Sequence, residues 1–213
     1  MTRDEMQTMV LDRLSLTTAE TAKVTQVLSL LNLFHKDVVL RHRLNVAFDT
    51  LDVVADTATV ALPSDLAAIL SLSYSGRPVD QVTWQQYADL FSAAEDESLS
   101  EEGTFYYMRA TPTTIRILPL PSASVTDAID CWYCARPSDF ANGSATTTLI
   151  PAEFHDILVE YTIHRLALAE EEAGLAQASL SVALGREAQL RTWLAGFEGG
   201  DNNLLARPGA FRR

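Results

Sequence analysis

The sequence predicts an α+β protein. Both ends of the chain form a helical body, a small antiparallel β unit is inserted between them, and an extended tail closes the chain. Three observations lead to this prediction. Apolar residues recur at helical spacing near both ends. Short alternating segments separated by turn residues fill the middle. The final segment has no period, and Pro208-Gly209 excludes a regular element there.

Length and composition place the chain among folded proteins. Its 213 residues fit one large domain or a domain with appendages. Hydrophobic residues make up 47% of the chain, which is enough for a packed core. No segment reaches the roughly 18 apolar residues of a membrane span. The acidic start, with Asp4 and Glu5, lacks a hydrophobic signal core, so neither a membrane partner nor secretion is expected.

The charge balance argues against a free-standing DNA-binding protein. The chain has 28 acidic residues against 16 basic ones, a net charge of −12. Phosphate contacts dominate nucleic-acid affinity, so a DNA-binding protein shows the opposite balance. An acidic surface suits a protein past which DNA must slide, and it equally suits any soluble cytosolic protein.

Two helices are predicted in residues 1–43. The first covers Thr2 to Leu16. Thr17 and Glu20 have the spacing of a capping box, so the second is expected to start there and run to about Arg43. Its apolar stripe has helical spacing: Val24, Val27, Leu28, Leu31, Phe34 and Val38.

Residues 44–137 form the predicted antiparallel β unit. Thr83 to Ala94 is expected to be a short helix with Trp84, Tyr87 and Leu90 or Phe91 on one side, and the acidic segment 95–103 a solvated loop. Ser75-Gly76 is a turn signal that predicts a hairpin. Strands are expected at 44–48, 57–62, 69–74, 77–82, 105–109, 113–118 and 128–135.

A linker at 138–149 leads into a predicted helical pair at 150–197, which completes the helical body. Pro151 opens the first helix, where its missing amide is harmless, and Glu170 to Gly174 is a break. The first helix is expected to pack through Phe154, Ile157, Leu158, Tyr161 and Leu168. The second is expected to pack through Ala176, Leu180, Leu184, Leu190, Leu194 and Phe197.

The tail, residues 198–213, has a net positive charge, whereas the chain as a whole is acidic. It carries two acidic residues against three arginines and has apolar residues without periodicity. It is either a frayed terminus or a peptide that becomes ordered on a partner through apolar anchors and arginine pairs.

The sequence gives little support for a catalytic or metal site. Cys131 and Cys134 form a CxxC pattern, but it lies on a predicted strand, which puts the two sulfurs on opposite faces, and no second ligand pair accompanies it. Glu160 and His164 could share a helix face, as could Asp156 and Glu160, but the sequence offers no further residue to orient either pair. No phosphate-binding loop, nucleophile elbow or dinucleotide motif is present. No enzyme activity, cofactor or metal is expected.

The order of several short motifs resembles the adaptor, or head-completion, proteins of tailed phages. Along the chain, helical segments come first and last, and the β unit lies between them. The motifs are LPSD at 62–65, Phe105-Tyr106-Tyr107, IRILPLPS at 115–122, Trp132-Tyr133, and IPAEFHDILVEYTIHRLA at 150–167. The β content exceeds that of the all-helical adaptors, so the sub-type is left open.

The resemblance implies a structural virion protein of the neck, made in the host cytoplasm. Such adaptors form rings, typically of twelve copies, beneath the portal. They extend the DNA channel without sequence-specific binding and give a tail, stopper or nozzle protein its platform. In several relatives a C-terminal segment docks on the portal. The residues implied here are Leu204, Leu205, Arg207, Phe211, Arg212 and Arg213.

Two alternatives remain. Another neck or tail ring protein, a stopper or tail terminator, is usually shorter and dominated by β structure. A cytosolic helical binding module would use the tail as a peptide ligand.

Overall fold

The computed structural model describes residues 1–17, 20–95, 104–140 and 148–198. They divide into two compact units, a helical unit from 1–45 and 137–198 and a β unit from 46–136. The helices are α1 (Arg3–Arg13), α2 (Thr21–Arg41), α3 (Trp84–Glu95), α4 (Asp156–Ala169) and α5 (Ala173–Glu198). The strands are β1 (Val46–Val53), β2 (Thr59–Ala61), β3 (Leu66–Tyr74), β4 (Arg77–Gln81), β5 (Phe105–Thr111), β6 (Thr114–Leu118) and β7 (Val125–Ala135). The α+β prediction is confirmed.

The capping box lies at the first helix and not at the second. Thr2 accepts a hydrogen bond from the Glu5 amide, and the Glu5 carboxylate accepts one from the Thr2 amide. The box predicted at Thr17 is wrong. α2 begins at Thr21 after Glu20, which makes no side-chain cap. The Glu20 carboxylate instead accepts bonds from the amide and hydroxyl of Thr17, upstream of the helix.

Helix α4 is the centre of the helical unit. It packs against α1, α2 and α5, and a short 3₁₀ turn at Ala152–Phe154 leads into it. Nine of its 14 residues are buried, including Ile157, Leu158 and Ile163 with no exposed area. A helix buried on most sides cannot carry a charged face, which explains why this segment is the most apolar of the unit. None of the helices described is long and apolar enough to cross a membrane.

Two leucines predicted to pack in this unit face solvent instead. Leu184 is 50% exposed and Leu168 is 47% exposed. Ala176 and Leu190 are buried as predicted, while the Phe197 side chain lies outside the described part. The narrow stripe that α5 turns toward α4 includes the buried Glu187, which was not among the residues predicted to pack. Helical spacing allows several rotations of a helix this rich in Ala and Leu, and the contact with α4 selects one.

The seven strands form a sheet in the order β1-β7-β3-β4-β5-β6-β2. All neighbours are antiparallel except β4 and β5, which are parallel. The wholly antiparallel prediction is therefore wrong at this pair. α3 lies between β4 and β5 in sequence and supplies the crossover that parallel strands require.

The main hydrophobic core of the β unit draws on all seven strands. Side chains from both ends of the sheet order meet in it, among them Leu51, Ile129, Val79, Ile115 and Val60. The sheet is thus folded on itself around a common interior. The predicted Ser75-Gly76 turn is confirmed, because β3 pairs with β4 and both turn residues have positive φ, as the tight hairpin turn demands.

Helix α3 covers a smaller cluster in the β unit. Tyr87 packs with Met108 and Leu118, and Leu90 lies against them, as predicted. Trp84 was expected on the same side but is 64% exposed. The segment 96–103, predicted as a solvated loop, lies outside the described residues, and so does the side chain of Phe91.

Candidate assembly surfaces

All six residues predicted to dock on a portal lie outside the described part of the chain, which ends at residue 198. Those residues are Leu204, Leu205, Arg207, Phe211, Arg212 and Arg213. The surfaces available for contact with other proteins are therefore those of the helical unit and of the β unit.

The CxxC residues lie inside the β unit. Cys131 and Cys134 are both on β7, with at most 1% exposure, and neither forms a disulfide. Burial raises the pKa of the Cys131 thiol to about 12. Three residues apart on a strand, the side chains point to opposite faces, as predicted. No cluster of three or more metal-ligating side chains occurs among the residues described.

The pairs suggested by the sequence, Glu160–His164 and Asp156–Glu160, lie on α4, and each member bonds to a group outside its pair. Glu160 accepts a hydrogen bond from Arg13 at 2.6 Å. His164 contacts the carbonyl oxygen of Ala176 through Nδ1 at 2.8 Å. Asp156 is bound by Arg186. Each group holds helices together, so the arrangement offers no acid–base pair.

The exposed side of α5 carries almost no charge. From Ala173 to Gly196 the charged residues are Arg186, Glu187 and Arg191, and Glu187 is buried. Opposite the stripe that faces α4 lies a row of exposed small residues, which we name the α5 face: Gly174, Ala178, Ser181, Gly185, Ala188, Thr192 and Gly196. Solvated helix faces carry charged residues. A face without them from Gly174 to Gly196, about 33 Å long, is typical of a surface that contacts protein.

The glycines of the α5 face are not required by the fold of the unit. Gly174, Gly185 and Gly196 are eleven residues apart, which returns to the same side of a helix after three turns. An added Cβ at each would meet no atom within 4 Å. Glycine within a helix costs about 1 kcal/mol relative to alanine. The helical unit carries this cost although none of its own contacts requires a glycine at these positions.

A second uncharged surface lies on α2. Lys23 is the only charged residue from Thr21 to Phe34. We name the α2 face by its exposed residues: Ala22, Thr25, Gln26, Ser29 and Leu33. The hydroxyls of Thr25 and Ser29 donate back to the carbonyls of Thr21 and Thr25, so they satisfy themselves within the helix. Leu33 stands out with 57% exposure.

A buried carboxylate sets the rotation of α5. Glu187 has no exposed area and accepts hydrogen bonds from Arg41 Nη1 at 2.7 and 2.8 Å, and from the Tyr161 hydroxyl; His42 Nε2 lies 2.9 Å away. Burial disfavours its charge, but these bonds prevail and lower the pKa of Glu187 to about 2. The partners come from α2, its C-cap and α4. With Glu187 held inward, the α5 face on the other side of the helix points outward.

A groove runs beside the α5 face. Phe154 forms its buried wall, and Trp193, 41% exposed, stands edge-on to it with ring centroids 6.0 Å apart. Arg186 lies over the Phe154 ring and donates to Asp156, Gln189 and the Glu153 carbonyl. The lining residues are Glu153, Phe154, Arg186, Ala188, Gln189, Thr192 and Trp193. Ala188 and Thr192 belong to the α5 face as well.

A comparison with family models identifies the family of this chain. The model of the SU10 adaptor protein family matches residues 1–204. The chain belongs to the SU10 adaptor family. This is a family of phage head-to-tail adaptors, so the resemblance noted from the motifs is confirmed. A comparison with curated proteins gave no match.

An SU10 adaptor is a structural protein of the virion that works by contacting head and tail components. Sequence reasoning missed the α5 face and Glu187. A usable signal was present, since the 13 residues from Ala173 to Gly185 contain no charged residue in a chain with 28 acids. Which side of that helix is exposed depended on its packing against α4.

Proposed function

We propose that this adaptor assembles into a ring beneath the portal, of twelve copies by the resemblance, with no catalytic role. The ring extends the DNA channel and gives a tail, stopper or nozzle protein its platform. It is made in the host cytoplasm and incorporated into the virion neck. The observation that carries the proposal is the pair of uncharged faces on different helices of one unit, in a chain that belongs to an adaptor family.

A ring requires a heterologous interface, in which one surface of each copy meets a different surface of the next. The α5 face and the α2 face meet this condition, since each lies on a separate helix packed against α4. The α5 face is flat and made of small residues, whereas Leu33 projects from the α2 face. A projecting side chain packs well against a surface that allows close backbone approach. We assign the contact between neighbouring copies to these two faces.

The acidic charge supports a channel through which DNA moves. Residues 46–136 contain thirteen acids and four bases, so most of the net charge of −12 belongs to the β unit. DNA is repelled by such a surface and has no basic patch on which to stop. This supports passage without sequence-specific binding.

The tail is the proposed portal contact. Leu204, Leu205 and Phe211 supply apolar anchors, and Arg207, Arg212 and Arg213 supply positive charge. An extended segment that becomes ordered on a partner gains affinity through such anchors. Deleting residues 204–213 should abolish co-sedimentation with the portal while the circular dichroism spectrum keeps its helical content. Unchanged co-sedimentation would disprove the tail assignment.

The ring interface is tested by blocking one face at a time. Ser181→Arg places a long charged side chain on the α5 face, and Leu33→Asp places a charge on the α2 face. Each variant alone should give no rings on the portal by negative-stain electron microscopy. An equimolar mixture should form pairs by sedimentation velocity, because each variant retains the face that the other lacks.

Two controls accompany this test. Leu168→Asp changes another exposed leucine of the same unit, outside both faces, and should leave rings intact. Ser181→Ala should leave them intact too. Complete rings from either blocked variant, or no pairs in the mixture, would contradict the assignment of the two faces.

A further inference from the structure

An aromatic pair lies exposed on the sheet of the β unit. Phe48 on β1 and Trp132 on β7 are directly opposite each other in the strand register, and their ring centroids are 5.0 Å apart. Phe48 is 48% exposed and Trp132 is partly exposed, so the described residues leave part of both rings open to solvent. Large aromatic side chains at the surface are the groups on which protein–protein contacts most often depend.

A carboxylate lies next to this pair. Residues two apart on a strand share a face, so Asp130 lies about 7 Å from Trp132 along β7 and on the same side. Ser73, opposite Asp130 on the neighbouring strand β3, donates its hydroxyl to the Asp130 carboxylate at 3.1 Å. The carboxylate is thereby held beside the aromatic ring.

Two more carboxylates continue this surface. Thr50, which faces Asp130 across the strands, donates its hydroxyl to Asp127. The Asp127 amide donates to the Asp52 carboxylate at 2.9 Å. Among the residues described, none of the three aspartates forms an ion pair. We name the β1–β7 face by six residues: Phe48, Thr50, Asp52, Asp127, Asp130 and Trp132.

Charge and shape together select the occupant. Three carboxylates without a cation disfavour nucleic acid and acidic proteins and favour a basic partner. A guanidinium is planar, stacks on aromatic rings and pairs with a carboxylate through two parallel hydrogen bonds, whereas a lysine ammonium acts as a point charge. Tryptophan is the strongest aromatic partner of a cation. The spacing of Trp132 and Asp130 therefore suits one arginine that stacks on the ring and pairs with the carboxylate.

We propose that the β1–β7 face binds an arginine-bearing segment of the tail-side protein, with one guanidinium stacked on Trp132 and paired with Asp130. Asp52 and Asp127 receive a second basic side chain of the same segment. The choice of partner rests on the proposed function, which gives the portal to the C-terminal tail and the neighbouring copies to the α5 and α2 faces. The chemistry of the face does not rest on it.

A peptide probe tests this chemistry on the full chain. Trp84→Phe with Trp193→Phe leaves Trp132 as the only tryptophan, so its fluorescence reports on this face. A short capped peptide of alternating arginine and leucine should bind at least about tenfold more tightly than the same peptide with citrulline, which keeps the shape and lacks the charge. The lysine version should bind with intermediate affinity. Equal affinity for the arginine and lysine peptides would overturn the proposal.

Matched variants separate the face from the general acidity of the chain. Asp130→Asn should weaken binding of the arginine peptide by at least about threefold, whereas Asp80→Asn, which removes the same charge from an exposed position on β4, should change it by less than about twofold. Trp132→Phe with Trp193→Phe retains Trp84 as the only tryptophan and should show no fluorescence change. Equal effects of the two asparagine substitutions would overturn the assignment.

Assembly tests the partner. In heads assembled with the Trp132→Ala or the Asp130→Asn adaptor, negative-stain electron microscopy should show rings beneath the portal that do not hold the tail-side protein. Trp84→Ala, at an exposed tryptophan of the same unit, should hold it normally. Variant rings that keep the tail-side protein would overturn the proposal. Loss of the rings themselves would also overturn it, since the face would then belong to a neighbouring copy.

The two hypotheses fail separately. If the wild-type chain forms no rings on the portal but the arginine peptide binds as expected, the proposed function is wrong and the chemistry of the β1–β7 face stands. If rings form and receive the tail-side protein but the peptide does not distinguish arginine from citrulline, the β1–β7 face is wrongly assigned and the proposed function stands.

Discussion

Neutralising Glu187 should destabilise the helical unit by an amount that depends on pH. Its pKa is lowered from its usual 4.5 to about 2 by hydrogen bonds from Tyr161, Arg41 and His42, which prevail over the cost of burial. At about 1.4 kcal/mol per pKa unit, the charge contributes about 3 kcal/mol to the free energy of unfolding at pH 7. A group whose folded pKa is depressed stabilises the fold above its unfolded pKa and loses that effect as pH falls through the folded pKa. The contribution is therefore complete above pH 5 and falls to about 1 kcal/mol at pH 3.

Glu187→Gln keeps the size of the side chain and removes the charge. Urea unfolding of the full chain, followed by circular dichroism at pH 7 and pH 3, measures the difference in unfolding free energy between wild type and variant. That difference should shrink by about 2 kcal/mol between the two pH values. Glu171→Gln, at an exposed carboxylate, should change stability by less than about 0.5 kcal/mol at both. A difference for Glu187→Gln that is independent of pH would refute the electrostatic account of this residue.

Three further predictions concern the cores and their cysteines. Cys131 and Cys134 should not react with a thiol reagent at pH 8 in the folded protein and should both react in denaturant, because both are buried and the pKa of Cys131 is about 12; fast reaction in the native state would contradict the assigned burial. Ile115→Ala, in the core of the β unit, should cost about 3 to 4 kcal/mol in urea unfolding, and a cost below about 1 kcal/mol would mean that this core is not packed as described. Arg13→Gln should cost about 2 kcal/mol, because it leaves the nearly buried Glu160 carboxylate without its cation; adding Glu160→Gln should recover part of that loss, and strictly additive effects would show that the two do not interact.

The local pattern of residues was sufficient to predict most of the helices and strands. The helical stripe of α2 predicted buried Val27, Leu31 and Val38, and all three have no exposed area. The Ser75-Gly76 signal predicted the turn between β3 and β4 because a tight hairpin needs two residues that tolerate positive φ. These features depend on a few neighbouring residues, which the sequence states directly.

Sequence reasoning missed the features that depend on contacts between distant parts of the chain. The parallel pairing of β4 with β5 depends on where α3 returns the chain, which is a property of the whole sheet. The sequence pattern did not single out Glu187, because its burial follows from Arg41, His42 and Tyr161 converging on it from distant positions in the chain. Leu184, predicted to pack, was exposed by the same rotation of α5.

For an SU10 adaptor with this sequence, the chain by itself determined the order of helices, strands and turns, the acidic balance, and the composition of the α5 segment. Those properties arise from residue type and spacing, which do not change on folding. Only the tertiary structure decided which side of α5 faces outward and that Phe154 and Trp193 form a groove beside it. The physical reason is that a helix rich in Ala, Leu and Gly has several rotations of similar local energy. The buried Glu187, held from α2 and α4, selects among them.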